Sequence, residues 1–402
     1  MTSIKVDLKS LRILPALMMA IFAMYVSFDF NVLGLSSASY LMLASTLAVF
    51  AMSILLTVRN NSIHRFDILI MLFLIYVGAM SIVGGMDWKD WAYYSCSVML
   101  LCLLFSYYQH DLKPLLVGAM IGFSIAVYAQ GFQLIVQPDL WIIEDAKEST
   151  GYILGGNYNG VGCRILAALI TNILCFRTSR WAKVLFVPLL AASIAILFCI
   201  KSMTSLSCIL AFLALCIIPN LKLQHASICA ILVFAILFEL FVCFKGKGFE
   251  NNAFASWIIV DLLGKDMSFT YRTDMWDAAL RIISESPIFG HGFPDADWYI
   301  ARMSSFAIGP HNMIFGILIY GGVIALVLYL SIYVYSLSRL SGRIHKQDNC
   351  IFAAITMFTF MMLMEVYSIQ YILYFLILAY YSPMLGFSAE KKQDDRYYQA
   401  HS

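Results

Sequence analysis

Charged residues are scarce in this sequence. They make up only 12% of its 402 residues, whereas apolar residues make up 61% and the mean hydropathy is +0.82. A soluble domain carries about 25% charged residues, because water must solvate its surface. So low a charge content excludes an ordinary soluble enzyme and indicates an all-α protein that crosses a lipid bilayer many times.

Patterns typical of several ligand classes are also missing. The sequence has no basic run for nucleic acid, no zinc-type spacing and no glycine-rich phosphate loop. Nearly all of its ten cysteines fall inside apolar runs, and none lies in the polar segment 245–310. Because disulfides need an oxidising aqueous space, we predict that these cysteines are small core residues and form no disulfides. We also predict no metal, no cofactor and no nucleic-acid partner.

Twelve apolar runs are long enough, or nearly so, to cross the roughly 30 Å hydrocarbon layer as helices. They occupy approximately 12–29, 33–56, 67–85, 91–108, 114–136, 159–176, 184–200, 204–219, 225–244, 312–337, 350–367 and 369–387. The first run follows three basic residues and resembles a signal peptide, but it lacks a small-x-small cleavage pattern, which favours a retained helix. The sequence therefore predicts one integral membrane domain, 1–402, with about twelve transmembrane helices.

The basic residues predict how these helices are oriented. With a cytoplasmic amino terminus, sixteen of the 26 Lys and Arg residues fall on the cytoplasmic side, and the bias alternates correctly among the short loops. Short cytoplasmic loops are typically rich in Lys and Arg, whereas long loops largely escape this rule. We therefore predict an inner-membrane protein with both termini in the cytoplasm. Two long segments, 137–158 and 245–311, are then predicted to be periplasmic.

The larger periplasmic segment, 245–311, connects predicted spans nine and ten. It contains Trp257, Tyr271, Trp276, Phe289, Trp298 and Tyr299, and these aromatic side chains argue for packing rather than disorder. We predict a short amphipathic helix on the outer surface, with an N-cap at Ser268 or Thr273, an end at 284–287 and a turn at 290–292. The predicted apolar stripe of this helix consists of Trp276, Ala279, Leu280 and Ile283.

Four motifs follow one another along this part of the chain. They are an Arg272…Trp276 helix, a Pro-x-x-Gly-x-Gly turn at 287–292, the pair His311–Asn312 before the next span, and Tyr-Gly-Gly at 320–322 within that span. In this order, inside the one large outer loop, they resemble the O-antigen ligase and O-antigen polymerase superfamily. The resemblance covers about 245–335 by motif and the rest of the chain only by helix layout.

The resemblance implies a membrane-embedded glycosyltransferase. Its donor would be a polyprenyl-diphosphate-linked glycan, and it would use neither a metal nor a nucleotide sugar. Membrane lipids would surround it, and a chain-length regulator or a flippase is a further partner that this interpretation allows. A polymerase would transfer the glycan onto a lipid-linked repeat unit, whereas a ligase would transfer it to lipid A-core.

His311 and Arg272 are the principal site candidates. A sugar hydroxyl is a poor nucleophile, and histidine supplies a general base that titrates near neutrality. The departing diphosphate gains negative charge, and the planar guanidinium of arginine suits phosphate oxygens. The opposing interpretations are that His311 is an interfacial residue and that Arg272 is a solvated loop residue. Arg281 and His291 are weaker candidates, for which a solvated or structural role is favoured.

Five further residues are predicted to bind the diphosphate or the glycan: Arg164, Lys201, Asn159, Asn312 and Glu365. Glu365 could hold an arginine in place. Three of the five also have a plainer explanation: Arg164 could extend to outer headgroups, Asn312 could cap the next helix, and Glu365 could be an exposed interfacial residue. Glu239 is predicted to be buried in the ninth span, without a partner that the sequence identifies.

One departure from the family pattern affects the choice of acceptor. Many members, ligases especially, have Ser-Arg where this chain has Ser202–Met203. Lys201 or Arg164 could supply the missing charge, although lysine offers no bidentate equivalent. This difference favours a polymerase, with a ligase as the alternative.

Two other classes of function remain open. A transporter or lipid-linked-oligosaccharide flippase should place charges and helix breaks near the bilayer midplane, whereas the charges here gather at outer helix ends and in one loop. A structural membrane protein would leave the His and Arg without a role.

Overall fold

A computed structural model describes residues 13–28, 36–60, 64–86, 88–137, 160–176, 179–249, 272–304, 309–340 and 344–385. Within these ranges the chain forms fourteen α-helices and no β-strand, which confirms the predicted all-α class. Nine helices precede the larger polar segment: α1 (Ile13–Ser27), α2 (Ser36–Asn60), α3 (Arg65–Val83), α4 (Trp88–Tyr107), α5 (Lys113–Val136), α6 (Val161–Cys175), α7 (Arg180–Cys199), α8 (Met203–Ile217) and α9 (Leu221–Phe241). A 3₁₀ segment, Cys243–Phe249, follows α9.

The remaining helices begin within the larger polar segment. They are α10 (Arg272–Glu285), α11 (Ala296–Arg302), α12 (Met313–Ser338), α13 (Lys346–Met362) and α14 (Ile369–Tyr381). Each of the twelve predicted apolar runs coincides with one of the helices α1–α9 or α12–α14. Among the described residues, five segments are long and apolar enough to cross a bilayer: Arg65–Val83, Lys113–Val136, Arg180–Cys199, Leu221–Gly246 and Met313–Ser338. The protein is therefore a multi-pass membrane protein.

The core lies around α6 and α14. All thirteen residues of α14 are buried, as are fourteen of the fifteen residues of α6. Because nearly all side chains of these two helices are buried, other helices surround both of them and they occupy the interior. Polar side chains join them at mid-length, where Thr171 and Tyr374 share a hydrogen bond of 2.8 Å.

The cysteines behave as the composition predicts. All ten lie in the described ranges and are free thiols, and seven of them are buried. Their burial in helices is consistent with small apolar core residues.

α10 packs more deeply than a helix lying on the surface. Its buried residues are Thr273, Met275, Trp276, Ala278, Ala279 and Ile282, while Leu280 and Ile283 are only half-buried. The predicted stripe is thus rotated, because the 3₁₀ segment covers a second side of the helix. Thr273 lies within the first turn, so the prediction that it caps the helix was wrong, and Ser268 lies outside the described residues. The predicted helix end and the turn after it are confirmed.

α12 is broken in its amino-terminal half. Gly321 (φ −151°, ψ 22°) and Gly322 (φ 60°, ψ −157°) are not helical, so the element consists of a short piece, 313–320, and a longer piece, 323–338. A positive φ is accessible to glycine at little cost. The short piece begins directly after His311 and Asn312, and the break therefore determines the direction in which this pair is presented.

Candidate functional site

The turn that follows α13 brings together three of the predicted site residues. Asn312 donates a hydrogen bond to the carbonyl oxygen of Leu363 (3.3 Å), and Arg272 donates from Nε to the carbonyl oxygen of Met364 (2.9 Å). The next residue, Glu365, accepts a hydrogen bond from His311 (2.9 Å). Three consecutive residues thus hold the imidazole and the amide of the adjacent His311 and Asn312, together with the guanidinium of Arg272 from an earlier part of the sequence.

His311 and Glu365 form a pair that is mostly shielded from solvent. Nδ1 of His311 lies 2.9 Å from Oε2 of Glu365, and the two side chains are 16% and 13% exposed. An ionised carboxylate can only accept hydrogen bonds, so Nδ1 carries the proton that is shared with it. In a neutral imidazole, Nε2 is then the unprotonated nitrogen, which is the arrangement a general base requires.

Glu365 is itself held in place by the backbone. Its Oε1 accepts a hydrogen bond of 3.1 Å from the amide of Val366. Both carboxylate oxygens therefore have a donor, and the carboxylate keeps a fixed direction toward His311. The sequence predicted that Glu365 could hold an arginine, whereas in the structure it holds the histidine and the arginine binds the neighbouring carbonyl.

His311 also has an uncommon backbone conformation. Its φ is +47°, and Lys201 is the other non-glycine residue with positive φ among the described residues. Such a conformation is uncommon for a residue with a Cβ, and it persists only where the surroundings impose it. The side-chain bond to Glu365 on one side and the buried Asn312 on the other supply that constraint.

Asn312 is the fully buried junction between the turn and α12. Its Oδ1 accepts from the amide of Phe315 (3.0 Å), so it caps the helix as one interpretation of the sequence anticipated. Its Nδ2 donates to the Leu363 carbonyl and also to Oε2 of Glu239 (2.8 Å). Asn312 can therefore cap the helix and also belong to the site, because its three hydrogen bonds fix its position directly after His311.

Glu239 binds a residue of the site, and this contact was not predicted from the sequence. It lies in α9, 7% exposed, and its partner Asn312 is 73 positions away. The available signal was an ionisable residue in an apolar span, which is costly unless a partner is present. Sequence alone could not identify that partner, because only the tertiary fold brings α9 close to the residue that precedes α12.

Arg272 stands at the first residue of α10 and faces the end of α13. The carbonyl groups at a helix end carry partial negative charge, which a guanidinium complements. The bond from Nε to Met364 fixes the plane of the guanidinium beside the His311–Glu365 pair. In the structure, Arg272 and His311 both bind the 363–365 turn. That they act together in one reaction stays a prediction.

Arg164 is buried in the first turn of α6, with 5% of its surface exposed. Its guanidinium lies within hydrogen-bonding range of Tyr371, whose hydroxyl also contacts Ser27 and the carbonyl of Val26. It therefore does not extend to the headgroups, as the opposing interpretation suggested, but points into a polar cluster between α1, α6 and α14.

Lys201 occupies the turn between α7 and α8 and is exposed, with φ +54°. Met203, at the position of the family's arginine, is 51% exposed. One turn further along α8, Ser205 lies within hydrogen-bonding range of Tyr367, two residues after Glu365. The structure thus connects the start of α8 to the 363–368 turn without showing a contact of Lys201 with it. Asn159 lies outside the described residues.

The two weaker candidates have structural explanations. Arg281 is exposed on α10, as predicted. His291 donates from Nε2 to the carbonyl of Ile282 (3.0 Å) and lies 5.5 Å, centroid to centroid, from the ring of Trp298. Within the described ranges, no three His, Cys, Asp or Glu side chains are grouped closely enough to hold a metal ion.

Comparisons with known proteins match part of this chain. The model of a family described as O-antigen ligase matches residues 161–330, from α6 into the longer piece of α12. An O-antigen ligase of Pseudomonas aeruginosa is 38% identical over 64 residues, which is 16% of this chain and 16% of that relative. The family match contains five of the predicted site residues: Arg164, Lys201, Arg272, His311 and Asn312. These matches, together with the ordered motifs, support the resemblance of this chain to the O-antigen ligase and O-antigen polymerase superfamily.

Proposed function

We propose that this protein transfers a glycan from a polyprenyl diphosphate to a sugar hydroxyl at the periplasmic face of the inner membrane. The observation that supports this most directly is the 363–365 turn, which binds the guanidinium of Arg272 at the Met364 carbonyl and the imidazole of His311 at the Glu365 carboxylate. These two groups are what a reaction with a weak nucleophile and an anionic leaving group needs.

The transfer would proceed in one balanced displacement. The acceptor hydroxyl oxygen bonds to the anomeric carbon, and the bond from that carbon to the diphosphate breaks. The electron pair leaves with the polyprenyl diphosphate, whose charge Arg272 would stabilise with help from Arg164 or Lys201. The hydroxyl proton passes to Nε2 of His311, and Glu365 stabilises the resulting imidazolium without taking the proton.

The acceptor distinguishes two activities. The Met203 departure favours a polymerase that adds the growing glycan to a new lipid-linked repeat unit. The matched family and the matched relative are both described as O-antigen ligase, which favours a ligase that moves the finished polymer to lipid A-core. A deletion strain separates the two. Core bearing a single repeat indicates a lost polymerase, whereas bare core with accumulated lipid-linked polymer indicates a lost ligase.

The catalytic proposal is tested with purified variants and a lipid-linked donor. His311→Ala should lower the transfer rate by at least about 100-fold, the usual contribution of a general base. Arg272→Lys should recover little activity, because lysine lacks the planar fork. Near-normal transfer by His311→Ala protein would rule out the base.

The role given to Arg272 also predicts that the reaction needs no metal ion. Transfer measured in excess EDTA should therefore match transfer in untreated samples. Loss of activity that added Mg²⁺ restores would contradict the proposal that guanidinium groups alone take up the leaving-group charge.

A further inference from the structure

The break in α12 is filled by the Pro-x-x-Gly-x-Gly turn. Two amides of the turn donate to carbonyls before the break, and two amides after the break donate to carbonyls of the turn. The N···O distances are 2.7 Å from His291 to Ile319, 3.0 Å from Gly292 to Tyr320, 2.9 Å from Val323 to Pro287 and 3.4 Å from Ile324 to Ile288. Backbone groups without partners are costly in a membrane protein, and these four bonds replace the helical bonds that the break removes.

The fit between turn and helix leaves no room for side chains at two glycines. A Cβ on Gly290 would lie 2.5 Å from the amide nitrogen of Gly321, and a Cβ on Gly322 would overlap the carbonyl of Ile288. Both glycines also have positive φ, +72° and +60°. Backbone-to-backbone contact therefore requires glycine at these two positions.

Tyr76 of α3 joins the two partners from the side. Its hydroxyl lies 3.1 Å from the carbonyl oxygen of Gly321 and 3.4 Å from that of Phe289, so one donor is shared between the helix break and the turn. This ties both to a long membrane-spanning helix.

The consequence concerns the two proposed catalytic groups. Arg272 is the first residue of α10, and the turn begins directly after the end of α10. His311 precedes the short helical piece 313–320, and the turn binds the last two residues of that piece. α10 and the short piece 313–320 are thus held together at both ends. The turn connects their carboxyl-terminal ends, and residues 363–365 connect their amino-terminal ends. Such a closed frame sets the separation of the guanidinium and the imidazole.

We propose that Tyr76 and the turn 287–292 form a clamp that positions Arg272 relative to His311. Tyr76 is in this view a positioning residue for the reaction and makes no contact with substrate. The inference rests on the proposed function, since it concerns the alignment of the two groups assigned there. Displacement of a catalytic group by about 1 Å can cost on the order of 100-fold in rate, so a clamp far from the chemistry affects turnover.

The first test removes only the hydroxyl. Tyr76→Phe should lower kcat about tenfold and leave KM for the lipid-linked donor within about twofold, because alignment is lost and binding is kept. Tyr128→Phe is the matched control, since it removes a similar bond from a tyrosine hydroxyl to the carbonyl of Leu185 (2.8 Å) elsewhere. Equal kcat values for these two variants, or a raised KM with kcat intact for Tyr76→Phe, would overturn the proposal.

The second test uses a pair of glycines. Gly322 and Gly85 have similar φ, +60° and +68°, but a Cβ on Gly85 would meet nothing within 4 Å. Gly322→Ala should therefore lower kcat by about 100-fold relative to Gly85→Ala, which places an alanine at a similarly positive φ without a steric clash. Indistinguishable kcat values would refute the clamp. Active His311→Ala protein in the same assay would instead refute the proposed function, so the two failures can be told apart.

Discussion

The proposed chemistry of His311 depends on which of its nitrogens carries a proton. Glu365 settles this in the structure, because its carboxylate accepts from Nδ1 while the Val366 amide holds its other oxygen. The left-handed backbone at His311 points the ring toward that carboxylate. A carboxylate behind a histidine serves to orient it and to stabilise its charged form during turnover.

Replacing this carboxylate by an amide should therefore impair turnover more than folding. Glu365→Gln can present an N–H to Nδ1, which would favour the tautomer with the wrong nitrogen protonated. We expect the rate of glycan transfer in a purified assay to fall by at least about 100-fold. Glu285→Gln is the control, because Glu285 pairs with Arg302 on the exposed side of the protein. Comparable rates for the two glutamine variants would show that the carboxylate is not needed.

A second prediction concerns the bond between Asn312 and Glu239. Asn312→Asp keeps the helix cap but places a carboxylate 2.8 Å from that of Glu239, within a buried site. Uncompensated buried charge costs about 3 kcal/mol or more, which thermal unfolding in detergent should register. Adding Glu239→Gln supplies a new donor and should restore much of the stability. A double variant no more stable than the single one would contradict the pairing.

For single residues, the sequence predicted which side chains belong to the candidate site better than it predicted the groups that they contact. His311, Arg272 and Asn312 were found because they stand in ordered motifs. The partner of Arg272 is a backbone carbonyl, and backbone groups leave no trace in the identity of a side chain. Glu239 could be recognised as unusual in an apolar span, but its partner depends on tertiary packing.

Among the elements, α10 carries the arginine and is anchored by its own apolar face. Trp276 is fully buried there, and the 3₁₀ segment packs alongside the helix. The sequence predicted the existence and the end of this helix from its spacing. It could not predict which residues are buried, because a second covering element changes the face that helical periodicity alone would assign. The break in α12 was likewise visible only as a Gly-Gly pair.

If the anchoring of α10 positions Arg272, then removing the anchor should abolish transfer. Trp276→Ala leaves a large cavity at a buried position and should cost about 3–5 kcal/mol of packing energy. We expect loss of transfer together with faster proteolysis of the 250–310 region in detergent, while the apolar spans still insert. Arg281→Ala, on the exposed side of the same helix, should be neutral in both assays. Unchanged transfer by Trp276→Ala protein would show that the docking of α10 is dispensable.

For the whole molecule, composition and apolar run length were sufficient to predict the helices, because the bilayer demands long apolar segments with satisfied backbones. Orientation is a separate matter. It rests on the placement of Lys and Arg in short loops, and the proposed function requires that the 363–365 turn and α10 face the periplasm, where the lipid-linked glycan is exposed.

Labelling by a membrane-impermeant maleimide tests this orientation. Arg281 on α10 and Lys222 at the start of α9 are both exposed, and they are predicted to lie on opposite sides of the membrane. In a version whose ten native cysteines are replaced, Arg281→Cys should be labelled in intact spheroplasts. Lys222→Cys should be labelled only after permeabilisation, since the reagent cannot otherwise reach the cytoplasmic side. Labelling in the reverse order would place the His311–Arg272 cluster in the cytoplasm, where a periplasmic transfer could not occur.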